Sequence, residues 1–308
     1  MADSKIQLTP DDFTKLTQNG PSEAIKRESV SAWRDAYERV KSNKPAVVSF
    51  WILAILVVMA ILGPIISPHD PASNNLQMTN QPPSSEYWFG TDDLGRDMFS
   101  RTWVGASISL RVGIFAALID LCFGVIYGGM MGYFGGRVDN IMNRFAEILY
   151  AIPYLLVVIL LLVVMEPSLY TVVLALSITG WVNMAWIVRG QIMQLKNQEY
   201  VLASRSLGAG AGRILFRHLI PNAMGPIIVT LTLTVPSSIF AEAFLSILGL
   251  GVRSPSASWG TMISDAISGW TYYPWRLFFP AFFISLTMLA FNILGDGLRD
   301  AFDPKMKK

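Results

Sequence analysis

The sequence has little charge and a large excess of apolar residues. Of its 308 residues, only 15% are Asp, Glu, Lys or Arg, whereas 52% are hydrophobic. A water-soluble domain of this size cannot bury so much apolar surface. The alternative environment is a lipid bilayer, which a helix of about 20 mostly apolar residues can cross. The composition therefore predicts an all-α polytopic membrane protein.

Cysteine and histidine are also scarce. One cysteine excludes an intramolecular disulfide and a cysteine metal cluster, and the two histidines, His69 and His218, are far apart in sequence. No pairing of a nucleophile with a base is evident, and the phosphate-binding pattern G-x-x-x-x-G-K-[ST] is missing from the sequence. We therefore expect a non-catalytic chain with no cofactor, no metal and no nucleic-acid partner, which does not itself hydrolyse ATP.

Six apolar runs predict six transmembrane helices. Each run has the length and the low charge that a spanning helix requires. The third run has an amphipathic turn before it, at 138–147, which could begin that helix earlier. The predicted spans are residues 46–66, 108–131, 148–165, 169–188, 225–247 and 277–294.

Polar segments divide the chain around these spans. Residues 1–45 form an N-terminal tail, in which 31–43 has the pattern of an amphipathic helix lying on the membrane surface. Residues 67–107 form a loop before the second span, and residues 108–294 hold spans two to six as one membrane core. This core contains the polar segment 189–222, and residues 295–308 form the C-terminal tail.

Lysine and arginine are distributed very unequally between the two sides. If the N-terminus is cytoplasmic, nineteen of the 24 lie on the inner side and four on the outer side, with Arg111 inside a span. Short cytoplasmic segments carry the excess of positive charge in membrane proteins. The sequence therefore predicts a multi-pass membrane protein with both termini in the cytoplasm.

The segment 189–222 has the features of a docking element for a soluble partner. Residues 199–207 predict a short helix, and Gly208, Gly210 and Gly212 predict its end, because glycine readily adopts left-handed backbone. A second, basic helical turn is predicted at 213–218, and Pro221 precedes the next apolar run. The segment carries five basic residues and one acidic residue.

Two features inside the spans allow alternative interpretations. Gly124, Gly128 and Gly132 repeat every four residues and form a groove on one helix face, either for a neighbouring helix of this chain or for another subunit. Asp120 and Glu242 are carboxylates inside apolar runs. Such groups could line a translocation pathway, carry protons, be satisfied by packing partners, or lie near the membrane surface.

Four separated blocks resemble the permeases of peptide ABC importers. The segment 189–222 resembles the cytoplasmic coupling loop of importer permeases, with Ala203, Gly208 and Pro221 matching, although Leu202 stands where that family has a glutamate. FGTDDLGRD at 89–97, LGLG at 248–251 with SWG at 258–260, and GDGLRDAFDP at 295–304 resemble signatures of the C-type subunit of oligopeptide or dipeptide importers.

The resemblance implies a type I ABC importer permease fold and two sets of functional residues, to which the two carboxylates inside the spans add a third set from their position alone. An extracytoplasmic signature contains Gly90, Asp92, Gly95, Arg96 and Asp97, whose charges either form a local salt-bridged turn or contact a partner. Asp120 and Glu242 are candidates for the pathway. The residues expected to couple to the ATPase are Glu199, Tyr200, Ala203, Ser204, Arg205, Gly208, Arg217, His218 and Pro221.

The resemblance also implies the partners. These are a second homologous permease subunit, two ATP-binding subunits, an extracellular peptide-binding protein and the lipid bilayer, with ATP bound by the partner subunits. The function implied is the permease subunit of an ATP-driven oligopeptide importer. The alternatives are a proton-coupled secondary peptide transporter, a non-transporting membrane scaffold, and a permease for dipeptides, nickel or another substrate.

Overall fold

A computed structural model describes residues 32–166, 168–252 and 256–302 of the chain. Most of these residues are helical, and the described ranges contain one isolated β-bridge, between Thr91 and Asp97, and no β-strand. The N-terminal tail before residue 32, Arg253 and the C-terminal residues 303–308 lie outside the described residues.

Twelve α-helices follow one another along these described ranges. Five are long and apolar enough to cross a membrane, and α4 with α5 forms a bent pair that would make a sixth span. The helices are α1 Ala32–Ser42, α2 Lys44–Ile66, α3 Met98–Phe134, α4 Gly136–Ala151, α5 Tyr154–Val164, α6 Leu169–Leu195, α7 Glu199–Ser206, α8 Ala211–Ile214, α9 Ile220–Asn222, α10 Met224–Ile247, α11 Trp259–Ile267 and α12 Pro274–Phe302.

The third span, predicted at 148–165, is not one continuous helix. The chain breaks between α4 and α5, which are bent by 76° relative to each other. Ile152 and Pro153 both have extended ψ values, of 124° and 117°. Pro153 has no amide hydrogen to donate, and its ring disfavours helical backbone at the preceding residue. Because α5 has only 11 residues, it is too short to cross a bilayer without α4.

Three other predicted boundaries also differ from the structure. The helix α3 begins at Met98, so residues 98–107, which were predicted to be part of a loop, are helical. It begins there because Asp97 caps its first turn, accepting hydrogen bonds from the amides of Phe99 and Ser100. At the other boundaries, α6 continues through 189–195, and α12 continues beyond 294 to Phe302.

The most extensive helix contact in the described fold is between α3 and α6. The glycine stripe faces this contact, so the interpretation as packing within the chain is confirmed. A Cβ on Gly128 would lie 2.9 Å from the Cα of Ala185, and a Cβ on Gly132 would lie 2.8 Å from the carbonyl oxygen of Arg189. The two backbones therefore approach too closely for any side chain larger than hydrogen.

The packing of α3 on α6 predicts a clear difference between two glycines. Gly128→Ala should destabilise the fold by about 1–3 kcal/mol, because the added methyl group has no space against Ala185. Gly190→Ala is the matched control in α6, since a Cβ there meets nothing within 4 Å, and it should leave stability unchanged or raise it slightly. Thermal aggregation of the purified variants in detergent measures both effects. Equal midpoints for Gly128→Ala and wild type would contradict the close contact.

Candidate functional site

The helix α7 forms where the sequence predicts it and ends at the first of the three predicted glycines. Leu207 is its C-cap, and Gly208 follows with a φ of +81°. The amide of Ala209 then donates to the carbonyl of Ser204 at 3.1 Å, which closes the last turn. Gly208 alone provides the left-handed stop, because neither Gly210 nor Gly212 has a positive φ. The prediction that all three glycines end the helix was therefore too broad.

The helix α7 is anchored to the rest of the bundle by a buried apolar cluster. Val201 is fully buried and packs in this cluster with Ile192 from the end of α6. Ile214 and Leu219, on the following segment, are also fully buried there. On the other side, the Arg205 guanidinium lies 5.8 Å from the centre of the Tyr133 ring at the end of α3. These contacts fix α7 to the ends of both α3 and α6.

The segment after α7 is helical but irregular. Residues Leu215–Leu219 form a π-helical turn, in which the amide of Ile220 donates to the carbonyl of Leu215. Pro221 follows this turn and has no amide hydrogen to continue the ordinary register. A wider turn before a proline accommodates that missing donor. The predicted basic helical turn is therefore present, with Ser204 Oγ placed 3.5 Å from His218 Nε2.

Other side chains of the segment 199–222 remain exposed, and several are large and apolar. Leu207 is 89% exposed, and Phe216 is 58% exposed. Partial burial raises the pKa of the Tyr200 phenol. Leu202, Leu207 and Phe216 are not among the candidate contact residues predicted from the sequence. The feature that could have identified them is their apolar character within a polar segment. We define the α7 surface as the exposed residues Glu199, Tyr200, Leu202, Ala203, Arg205, Leu207, Gly208, Arg213, Phe216, Arg217 and Pro221.

A second set of predicted residues forms a compact turn at the opposite end of α3. Asp92 Oδ1 accepts hydrogen bonds from the amides of Leu94 and Arg96, both at 2.9 Å. Its Oδ2 contacts Arg96 Nε at 2.6 Å and Arg101 Nε at 3.3 Å. Asp92, Arg96 and Arg101 are all buried. The charges of the predicted extracytoplasmic signature therefore form a local salt-bridged turn, which is one of its two interpretations.

The same turn joins α2 to α3. Asp97 is buried, and in addition to capping α3 it accepts a hydrogen bond of 2.8 Å from Ser67 Oγ at the end of α2. Gly90 and Gly95 have positive φ values, of 76° and 71°. A Cβ on Gly95 would collide with the carbonyl of Asn75. Each of these residue types is therefore required by the local structure.

The two intramembrane carboxylates have opposite environments. Glu242 is fully buried and accepts hydrogen bonds from Ser109, Ser246 and Ser258 at 3.2, 2.8 and 2.6 Å. Asp120 is 4% exposed, and its Oδ1 has no hydrogen-bond partner within the described ranges. Ser109 and Asp120 are eleven positions apart on α3, about 16 Å along the helix axis. The structure therefore does not bring the two carboxylates together, and Glu242 has the contacts of a satisfied packing residue.

Two family models match the chain. The model described as a binding-protein-dependent transport system inner membrane component matches residues 124–308. The model described as the N-terminal TM domain of oligopeptide transport permease C matches residues 31–83. The first includes α7 and the segment after it, and the second includes α1 and α2. The chain belongs to the family of binding-protein-dependent transport permeases.

Curated relatives of this permease are similar over nearly their full lengths. The oligopeptide transport system permease protein OppC of Bacillus subtilis is 59% identical, over 94% of this chain and 95% of that protein. The dipeptide transport system permease protein DppC of the same organism is 58% identical, over 97% of this chain and 94% of that protein. OppC of Escherichia coli is 41% identical, over 92% of this chain and 95% of that protein.

The fold of this permease is that of an ABC importer permease. A chain of the MetNI methionine ABC transporter, in an inward-facing conformation, superposes with a TM-score of 0.53. It shares 15% sequence identity and covers 66% of this chain and 94% of its own length. The predictions of an all-α polytopic membrane protein and of a type I importer permease fold are therefore confirmed.

The buried turn at the start of α3 predicts a contrast between two neighbouring aspartates. Asp92→Asn should destabilise the permease by about 3 kcal/mol or more, because it removes the carboxylate that forms ion pairs with the buried Arg96 and Arg101. Asp93→Asn is the control, since the Asp93 side chain is 52% exposed in its pair with Arg276, and it should cost about 1 kcal/mol or less. Thermal unfolding in detergent compares them. A similar loss for both variants would argue against the buried network.

Proposed function

We propose that this chain is the permease subunit of an ATP-driven importer of oligopeptides. It forms half of the translocation pathway together with a second homologous permease. Two ATP-binding subunits supply the energy, and an extracellular peptide-binding protein delivers the substrate. The chain itself has no catalytic role and holds no cofactor, since ATP is bound by the partner subunits. The names of the relatives support the substrate class, which includes dipeptides as a second candidate.

The proposal assigns an orientation to the bundle. Both termini and the α7 surface lie in the cytoplasm of a bacterial cell, and the turn around Asp92 lies outside. The unequal distribution of Lys and Arg supports this orientation. Because α3 and α6 both end at α7, one cytoplasmic contact on this segment reaches two spanning helices directly.

The observation that carries the proposal is the combination of an exposed docking surface with a buried anchor. Leu207 and Phe216 present apolar area to solvent, whereas Val201 is fully buried against the end of α6. The exposed Arg205, Arg213 and Arg217 favour an acidic partner surface and steer its approach. A partner that binds this surface and moves would therefore move the spanning helices with it.

The individual roles of the coupling residues follow from their positions. Glu199, Tyr200, Ala203, Arg205 and Arg217 are exposed for contact with the ATP-binding subunit. Ser204 and His218 connect α7 to the π-helical turn through their 3.5 Å contact. Gly208 and Pro221 shape the backbone, the first with its positive φ and the second with its missing amide hydrogen.

A proton-coupled secondary transporter has less support. That mechanism was expected to use Asp120 and Glu242 together. The two side chains are not in contact, and three serine hydroxyls satisfy Glu242. Proton relays in membrane proteins use chains of Asp, Glu and His, and the hydrogen-bond partners of Glu242 in the described ranges are three serines.

The proposal predicts that Leu207→Asp prevents assembly with the ATP-binding subunits. Leu207 is the C-cap of α7 and the most exposed apolar residue of the α7 surface. Aspartate removes its apolar side chain and adds a negative charge, opposite to that of the nearby arginines, which an acidic partner surface would repel. Loss of a central apolar contact typically costs 2 kcal/mol or more, which weakens binding by about 30-fold. Copurification of the complex, together with peptide-stimulated ATP hydrolysis in proteoliposomes, measures the effect.

Leu76→Asp is the matched control. Leu76 is 72% exposed and lies in the loop between α2 and α3, at the other end of the bundle. This variant should copurify with the ATP-binding subunits like wild type. Normal assembly and normal peptide uptake by Leu207→Asp would refute the docking assignment. Uptake that continues without ATP-binding subunits would refute the importer itself.

A further inference from the structure

A cavity with a partly polar lining lies between α3, α5, α6 and α10. Its volume is about 430 Å³, within the range of roughly 300–1,000 Å³ that is typical of small-ligand sites. Asp120 contributes a carboxylate, Asn183 an amide, and Thr230, Thr234 and Ser237 contribute hydroxyl groups. The cavity is therefore large enough for one terminal group of a substrate, and part of its lining is polar.

The carboxylate of Asp120 has been left without a partner in this cavity. Its Oδ1 is buried and makes no hydrogen bond within the described residues. Space for the carboxylate is provided by Gly180, where a Cβ would lie 3.0 Å from Asp120 Cγ. A buried carboxylate inside a membrane is costly unless a ligand, water or counter-charge satisfies it. The position therefore favours occupation by a positively charged or strongly donating group.

The neighbouring hydroxyl groups add acceptors. Thr230 donates its proton to the carbonyl of Pro226, and Thr234 donates to the carbonyl of Thr230. Ser237 likewise donates to the carbonyl of Leu233. Because each proton is used within α10, the three oxygens can only accept further hydrogen bonds. No Lys, Arg or His is among the described residues that line the cavity.

We propose that Asp120 and the hydroxyl oxygens of α10 form a subsite for a primary ammonium group, that of a peptide amino terminus, during passage through the permease. This inference rests on the proposed function. An ammonium group has three donors and one positive charge, which match one carboxylate and several neutral oxygens. A divalent cation is a poorer match, because calcium requires six to eight oxygen ligands and magnesium a near-ideal octahedron.

The test compares uptake of two labelled peptides by the complete importer in proteoliposomes. The peptides have the same sequence, one with a free amino terminus and one with an acetylated terminus. For Asp120→Asn we expect uptake of the free-amine peptide to fall about 10-fold relative to wild type, since a charge-assisted hydrogen bond is lost. Uptake of the acetylated peptide should be unchanged. For each peptide separately, uptake by the variant is divided by uptake by wild type at saturating binding protein. The preference of the binding protein for one of the peptides therefore cancels from each ratio.

Cys122→Ser is the control, because Cys122 lies two residues further along α3 and is exposed. It should transport both peptides like wild type. A second variant, Thr234→Val, removes one acceptor oxygen at nearly constant volume and should lower uptake of the free-amine peptide alone, by about threefold. This variant decides the question if Asp120→Asn fails to copurify with the ATP-binding subunits.

Equal effects on both peptides, or no effect on either, would overturn the ammonium subsite while leaving the importer function intact. A dependence of the loss on pH for both peptides alike would instead favour proton binding at Asp120. If the wild-type complex imports neither peptide with ATP, the proposed function itself fails. The two failures are therefore distinguishable in the same experiment.

Discussion

The structure depends most on the direct approach of the α3 backbone to the α6 backbone. In a membrane, helices gain little from moving apolar side chains out of lipid, so close packing of small residues must hold them together. Gly124, Gly128 and Gly132 allow this approach from one side, and Met184 and Ala185 fill the space from the other. Both α7 and the Asp120 carboxylate lie along this contact or at its end.

At one end, this contact holds the segment that the proposed function assigns to energy coupling. Arg189 forms a two-point ion pair with Asp139, with distances of 2.6 and 2.7 Å, and Lys196 donates to the carbonyl of Gly132 at 2.7 Å. These bonds fix α4 and the end of α3 to α6 just before α7 begins. Further along the same contact, Gly180 on α6 leaves space for Asp120 on α3. Rigid packing therefore determines both the position of α7 and the position of the unpartnered carboxylate.

Much of this arrangement could be predicted from the sequence. The lengths of the apolar runs predict the spanning helices. The spacing of Gly124, Gly128 and Gly132 predicts one face of the contact between α3 and α6. The stop at Gly208 follows from its backbone freedom. Other features depend on contacts between distant residues. Asp139 and Arg189 are fifty residues apart, and Asp120 and Glu242 are the same kind of residue in similar apolar runs. Only the rotation of each helix decides which carboxylate meets serines and which meets a cavity. The break at Pro153 was recognisable from proline chemistry, but the run of apolar residues obscured it.

The account requires that α7 and α6 move as one rigid unit. The most direct measurement is the distance between spin labels on Tyr170→Cys, at the start of α6, and Ser206→Cys, at the end of α7, with Cys122 replaced by serine. Tyr170 is 76% exposed and Ser206 is also exposed. Pulsed electron spin resonance on the assembled complex would compare the nucleotide-free state with the ATP-trapped state. The account predicts the same distance distribution in both states. A shift between them would mean that α7 hinges independently of α6, and that the buried anchor at Val201 does not transmit movement to the spanning helices.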